Sequence, residues 1–170
     1  MKIFISSFGQ IRNFTSNVIP ISTAGGCGWP WWLLKSDNHK EGDYYLNKDN
    51  VIIGIQEESL CLPREKFEEL EEPCQKNCPY KDKVPHCQFM ETYYNYLKTL
   101  DFSKMIKEFD RISKDVQKIN HYTEEPIIVL LVYESPSCNC AERPVLQRWF
   151  KDNGYDLKKW NKNINDEIIF

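Results

Sequence analysis

The chain has 170 residues, with 25 acidic side chains against 22 basic ones and a formal net charge of −3. That length suits one domain around a single core. The near balance of charge excludes a global electrostatic pull toward nucleic acid, and the absence of any apolar run of about 18 residues excludes a membrane-spanning helix.

The opening M-K-I-F-I-S-S-F has too short an apolar run for a signal peptide and alternates as a strand does. The cytoplasm is therefore the expected compartment. Its reducing chemistry disfavours structural disulfides among the seven cysteines. They read instead as metal ligands, reactive thiols or core filler.

Lys2–Ser6 is predicted as the first strand, and Gln10–Asn17 as a short connection. Val18–Ser22 is the second strand and runs into T-A-G-G-C-G-W-P-W-W. Gly25, Gly26 and Gly28 let that loop approach a ligand closely. Cys27 within it is a candidate nucleophile or ligand contact. Trp29, Trp31 and Trp32 suit stacking on a base or sugar, or packing against a neighbouring helix. The loop does not match G-x-G-x-x-G, so it is no dinucleotide fingerprint. Lys35–Asn50 reads as a polar excursion, and Val51–Gln56 as a third strand or a buried turn leading into Glu57 and Glu58.

A cysteine-rich insertion at about 57–90 follows, and Cys61, Cys74, Cys78 and Cys87 fall within it. The segment is rich in Pro and Lys and poor in aliphatic residues, so a bound metal would supply the order that apolar burial does not. Four thiolates suit tetrahedral zinc, with His86 able to replace one, or alternatively an iron–sulfur cluster. With all four thiolates engaged the site is closed and structural.

Beyond it, Gln88–Leu100 and Ser103–Asn120 carry apolar residues at three- and four-residue steps and are predicted helices, the second capped by Asp101 or Ser103. Ile127–Tyr133 is a fully apolar strand, Arg143–Asn153 a helix stopped by Gly154, and Glu167–Phe170 an edge strand. Arg143–Lys162 is locally basic, with Trp149 and Trp160 interleaved. It reads either as a nucleic-acid-facing surface or as a solvated face with its tryptophans in the core.

The apolar strand ends at Glu134, and a short loop then presents Cys138, Cys140 and Arg143. Glu134 suits proton transfer, Arg143 at a helix N-terminus suits a phosphate or carboxylate, and a thiol at Cys140 beside that cation tends toward thiolate. The bland alternative pairs Glu134 with Arg143 and buries the cysteines. This stretch, L-L-V-Y-E-S-P-S-C-N-C-A-E-R-P-V-L-Q-R-W, resembles the signature of the domain-of-unknown-function family number 488. So do the opening M-K-I-F-I-S-S-F and the segment V-I-I-G-I-Q-E-E-S-L, which resemble its short subclade. Val132 stands where that family often has a cysteine, and its Cys-His-Arg motif is here the degenerate Cys140-Ala-Glu-Arg143. The resemblance carries Glu134, Cys140 and Arg143 over as site residues and implies an α/β fold with its site at this loop.

The expected architecture is thus a single Rossmann-like α/β domain, with a mostly parallel sheet of about four or five strands, helices on both faces and the cysteine-rich insertion. Its site gathers Ser7, Ser22, Cys27, Glu134, Cys140 and Arg143, with Glu57 a further member. The expected function is an enzyme acting on a nucleotide, nucleoside or nucleic-acid component. The alternatives are a non-catalytic nucleotide- or nucleic-acid-binding module and a metal-stabilised protein-interaction protein.

Overall fold

The computed structural model of the chain describes residues 1–24, 37–70, 87–133 and 140–161. Its strands are β1 (Lys2–Ser7), β2 (Val18–Ser22), β3 (His39–Glu41), β4 (Tyr44–Leu46), β5 (Ile52–Gln56), β6 (Ile127–Val132) and β7 (Lys158–Lys159). Its α-helices are α1 (Arg64–Glu68), α2 (Gln88–Leu97), α3 (Phe102–Ile119) and α4 (Glu142–Asp152). The seven strands make one sheet in the order β3-β4-β5-β2-β6-β1-β7. The five from β5 to β7 run parallel, and β3 and β4 add an antiparallel hairpin at one edge.

β6 is apolar at every position because both of its faces are covered, and none of its residues is more than 4% exposed. Ile128, Leu130 and Val132 face one core, while Ile127, Val129 and Leu131 face another. The first core takes Tyr93 and Leu97 of α2, Phe109, Ile112 and Val116 of α3, and Val145, Leu146, Trp149 and Phe150 of α4. The second is closed by Phe8 and Ile11 of a 3-10 turn (Phe8–Asn13), by Phe14 and by Trp160. Trp149 and Trp160 are thus core side chains on opposite faces.

Helices on both faces were expected. Among the described residues, the three longer helices instead share one face, and a 3-10 turn serves the other. Connection direction accounts for this. The steps from β5 to β6 and from β6 to β7 travel the same way along the sheet, so crossovers of one hand put both on the same side. The step from β1 to β2 travels the opposite way and lies on the opposite side.

Other elements follow the sequence closely. Asp101 is the cap of α3, its carboxylate accepting from the Lys104 amide at 2.9 Å. Gly154 follows α4 at φ +84°, the left-handed conformation that ends a helix. The polar excursion hides the β3–β4 hairpin, whose turn begins with Gly42 at φ +59°. The expected edge strand Glu167–Phe170 lies outside the described residues, and Lys158–Lys159 pairs with β1.

Pro20 sits inside β2, an interior strand, yet removes no ladder bond. The Glu57 amide bonds the Ser22 carbonyl on the β5 side, so Pro20, two residues earlier, turns its nitrogen to that side too. Pairing with β5 begins only at Ile21, so the missing donor has no strand to serve.

The β4–β5 pairing shifts register between Tyr45 and Leu46. At that irregularity the Asn120 side chain, just past α3, acts as a strand would. Its oxygen accepts from the Ile52 amide at 2.8 Å, and its nitrogen donates to the Ile52 carbonyl at 2.9 Å. Asn120→Ala leaves both backbone groups without this partner and is expected to cost about 1–3 kcal/mol of stability by urea unfolding. A loss below about 0.5 kcal/mol, the usual range for an ordinary surface substitution, would show the clamp to be incidental.

A second tie joins β4 to α3. The Tyr44 hydroxyl donates to Asp115 at 2.9 Å, and Arg111 bonds Asp115 at 2.7 Å. Burial first, and the Asp115 carboxylate second, raise the Tyr44 phenol from 10.0 to about 12. A phenol held neutral longer in the folded state contributes stability that is whole below pH 10.0 and is lost as pH climbs toward about 12. The urea midpoint is therefore expected to fall over that window, and Tyr44→Phe is expected to make the fall shallower. An identical slope in the variant would contradict the assignment.

Candidate functional site

Parallel strands all point their carboxyl ends to one edge, and register decides which residues meet there. Ser7 pairs with Val132, Ser22 pairs with both Leu131 and Gln56, and the Glu57 amide bonds the Ser22 carbonyl at 2.9 Å. Ser7 and Ser22 therefore lie on one edge, at the ends of the strands flanking β6, and Glu57 follows β5, one strand further out. Both serines are buried.

The chain leaves β2 toward β5 and leaves β6 toward β7, so two adjacent parallel strands send their connections in opposite directions. Such a divergence opens a crevice outside the carboxyl ends, and open α/β sheets bind ligands there. The expected meeting place of the loops after β2 and β6 is this switch point.

Thr23 locks the seam and was not foreseen. Its amide bonds the Leu131 carbonyl at 3.1 Å, its hydroxyl donates to the same oxygen at 2.9 Å, and the residue is fully buried. A threonine after a strand carries no such signal in sequence, because its partner lies 108 residues away. Gln56 was missed too, because its partners are set by strand register. It accepts from the Tyr45 hydroxyl at 3.2 Å and donates to the Ala24 carbonyl at 3.4 Å, bridging three segments.

Glu57 reaches the edge through its backbone, but its carboxylate has a local task. One oxygen accepts from the Ser59 amide at 3.2 Å and the Ser59 hydroxyl at 2.5 Å, capping the 3-10 turn Glu58–Leu60. Beside it, Lys40, Asp43, Gln56, Glu57, Glu58 and Ser59 line a partly open cleft of about 220 Å³. Burial, with Glu58 and Asp43 adding to it, raises the Tyr45 phenol to about 12.

Arg143 is the second residue of α4 and only 7% exposed, and Glu142 before it is 9% exposed. Both are engaged by other groups, as charges so deeply buried must be. Ala141 at the N-cap offers no side-chain acceptor, and Glu142 puts a carboxylate in the first turn, where the helix dipole favours it. Cys140, half-buried, lies immediately before that cap. Glu134, Cys138 and Cys27 lie outside the described residues, as do Trp29, Trp31 and Trp32.

Of the four expected metal ligands, Cys74 and Cys78 also lie outside the described residues, together with His86. Cys61 is half-buried, and Cys87 is buried at the N-cap of α2. Among the described residues, no group of three or more His, Cys, Asp or Glu is placed to hold a metal ion. The two ends of the insertion nevertheless share an anchor. Tyr93 and Tyr96 of α2 donate to the carbonyls of Leu60 and Ser59, next to Cys61, and Cys87 opens the same helix. No helix among the described residues is long and apolar enough to cross a membrane.

Comparison with protein families, with curated proteins and with solved structures finds no significant match for this chain.

Proposed function

We propose that the chain is an enzyme acting on a nucleotide, nucleoside or nucleic-acid component, bound outside the carboxyl ends of β2 and β6. The observation that carries this reading is the divergence of the two connections at that seam, with Ser7 and Ser22 at the neighbouring strand ends. In this reading Arg143 and the start of α4 favour the anionic end of the ligand, the serine hydroxyls bond its polar groups, and Glu134 moves the proton. Cys140 completes the loop. The resemblance to family number 488 supports the same three residues, Glu134, Cys140 and Arg143. Fold alone is an analogy and assigns no reaction, so the test must begin with binding.

Thermal unfolding with a panel of nucleosides and nucleoside phosphates supplies it. A true ligand at about 100 times its Kd adds about 2.7 kcal/mol of stability, a rise in Tm of roughly 5–10 °C for a chain of this size. Arg143→Ala is expected to abolish the rise for phosphorylated ligands. With a substrate in hand, Glu134→Gln is expected to keep binding and lose turnover. Full turnover in that variant would contradict the catalytic role, and stoichiometric binding without product would leave a binding module. A panel that shifts nothing contradicts the reading.

The proposal also takes Cys61, Cys74, Cys78 and Cys87 as the ligands of a structural zinc ion. It is supported by the placement of Cys61 and Cys87 at opposite ends of an insertion tied to one helix. Elemental analysis of protein purified without chelator is expected to find about one zinc per chain, lost in Cys74→Ser/Cys78→Ser. Iron with sulfide would assign the thiolates to a cluster, and no metal would contradict the proposal.

A further inference from the structure

Tyr133 is the first residue after β6, and Phe8 is the first after β1. Their strands are neighbours, with Val132 opposite Ser7. The two rings meet edge to face, centroids 6.5 Å apart and planes at 67°. Phe8 packs down onto the core beneath the sheet. Tyr133 does the opposite: it is 77% exposed, directly after six buried residues.

Open tyrosine surface serves either a partner protein or a small planar ligand. A protein-docking patch needs several exposed apolar side chains together. Among the described residues, the other large apolar side chains that stand out, Met1, Phe67, Ile119 and Tyr155, belong to other segments. Among the described residues Tyr133 is instead a single exposed ring, braced on one side, at the carboxyl edge where Ser7 and Ser22 end. An aromatic face of that kind recognises the π-face of a base, whatever its hydrogen-bonding pattern.

We infer that Tyr133, braced by Phe8, is the stacking platform for the nucleobase of the ligand bound at this edge. This rests on the reading of the edge as a nucleotide site and adds which end of the ligand lies over β1 and β6. The sugar and phosphate then run toward β2 and the start of α4. Selectivity among bases is weak at the platform itself, because every base offers a face.

Isothermal titration with the four nucleoside monophosphates and with ribose 5-phosphate, on wild type, Tyr133→Ala and Tyr133→Trp, tests this. Wild type is expected to bind at least one nucleoside monophosphate more tightly than ribose 5-phosphate. Tyr133→Ala is expected to weaken the nucleotide by about 5- to 150-fold and leave ribose 5-phosphate unchanged, and Tyr133→Trp to restore tight binding. So exposed a side chain can be removed without unfolding the chain, and an unchanged Tm in Tyr133→Ala checks this. Equal nucleotide affinity in Tyr133→Ala, or no preference for nucleotide over ribose 5-phosphate, overturns the platform and leaves the edge site standing. A wild type that binds none of these probes overturns both.

Discussion

Everything in this fold is arranged around keeping β6 dry. Its six apolar residues pair with β1 on one side and β2 on the other, so its backbone is spoken for along both edges. What remains is to cover two faces. Fully burying a large apolar side chain contributes about 1.5–3 kcal/mol, so a strand of this composition left open on either face would forfeit a large part of a small domain's stability. One face is closed by three helices, the other by a short 3-10 turn and Trp160. Among the described residues the second cover is thin, with aromatic contacts such as that between Phe14 and Trp160, 4.6 Å between centroids.

The site is a consequence of the same arrangement. Because β1, β2 and β6 run parallel, their carboxyl ends share one edge, and β2 and β6 send their connections opposite ways along the sheet. Serines can end β1 and β2 because those ends leave the apolar layer. Thr23 then holds the seam between β2 and β6, with amide and hydroxyl on one carbonyl. The positions that build the site and the positions that stabilise the sheet are thus neighbours by one residue.

Apolar runs and helical stripes carried most of the sheet and the helices, because β1, β2, β5, β6, α2, α3 and α4 are all defined by what they bury. The β3–β4 hairpin was not legible, since His39, Lys40 and Glu41 are all exposed and show no buried alternation. Nor was β7, two exposed lysines held by their backbone. The placing of the three longer described helices on one face could not be read either, because it depends on strand order rather than on any single segment. At the site, Ser7 and Ser22 were legible as strand ends. Thr23 and Gln56 were not, because their partners on other strands and loops are set by register. Glu57 shows the converse: a carboxylate in a suggestive place, engaged in capping its own turn.

The most direct measurement is amide chemical-shift mapping of the labelled protein during titration with a nucleoside monophosphate. The proposed site requires shifts clustered at Ser7 and Phe8, at Ser22 and Thr23, at Tyr133 and from Cys140 to Arg143. Shifts clustered elsewhere, on the α2–α3 surface for example, or no shifts at saturating ligand, would contradict it.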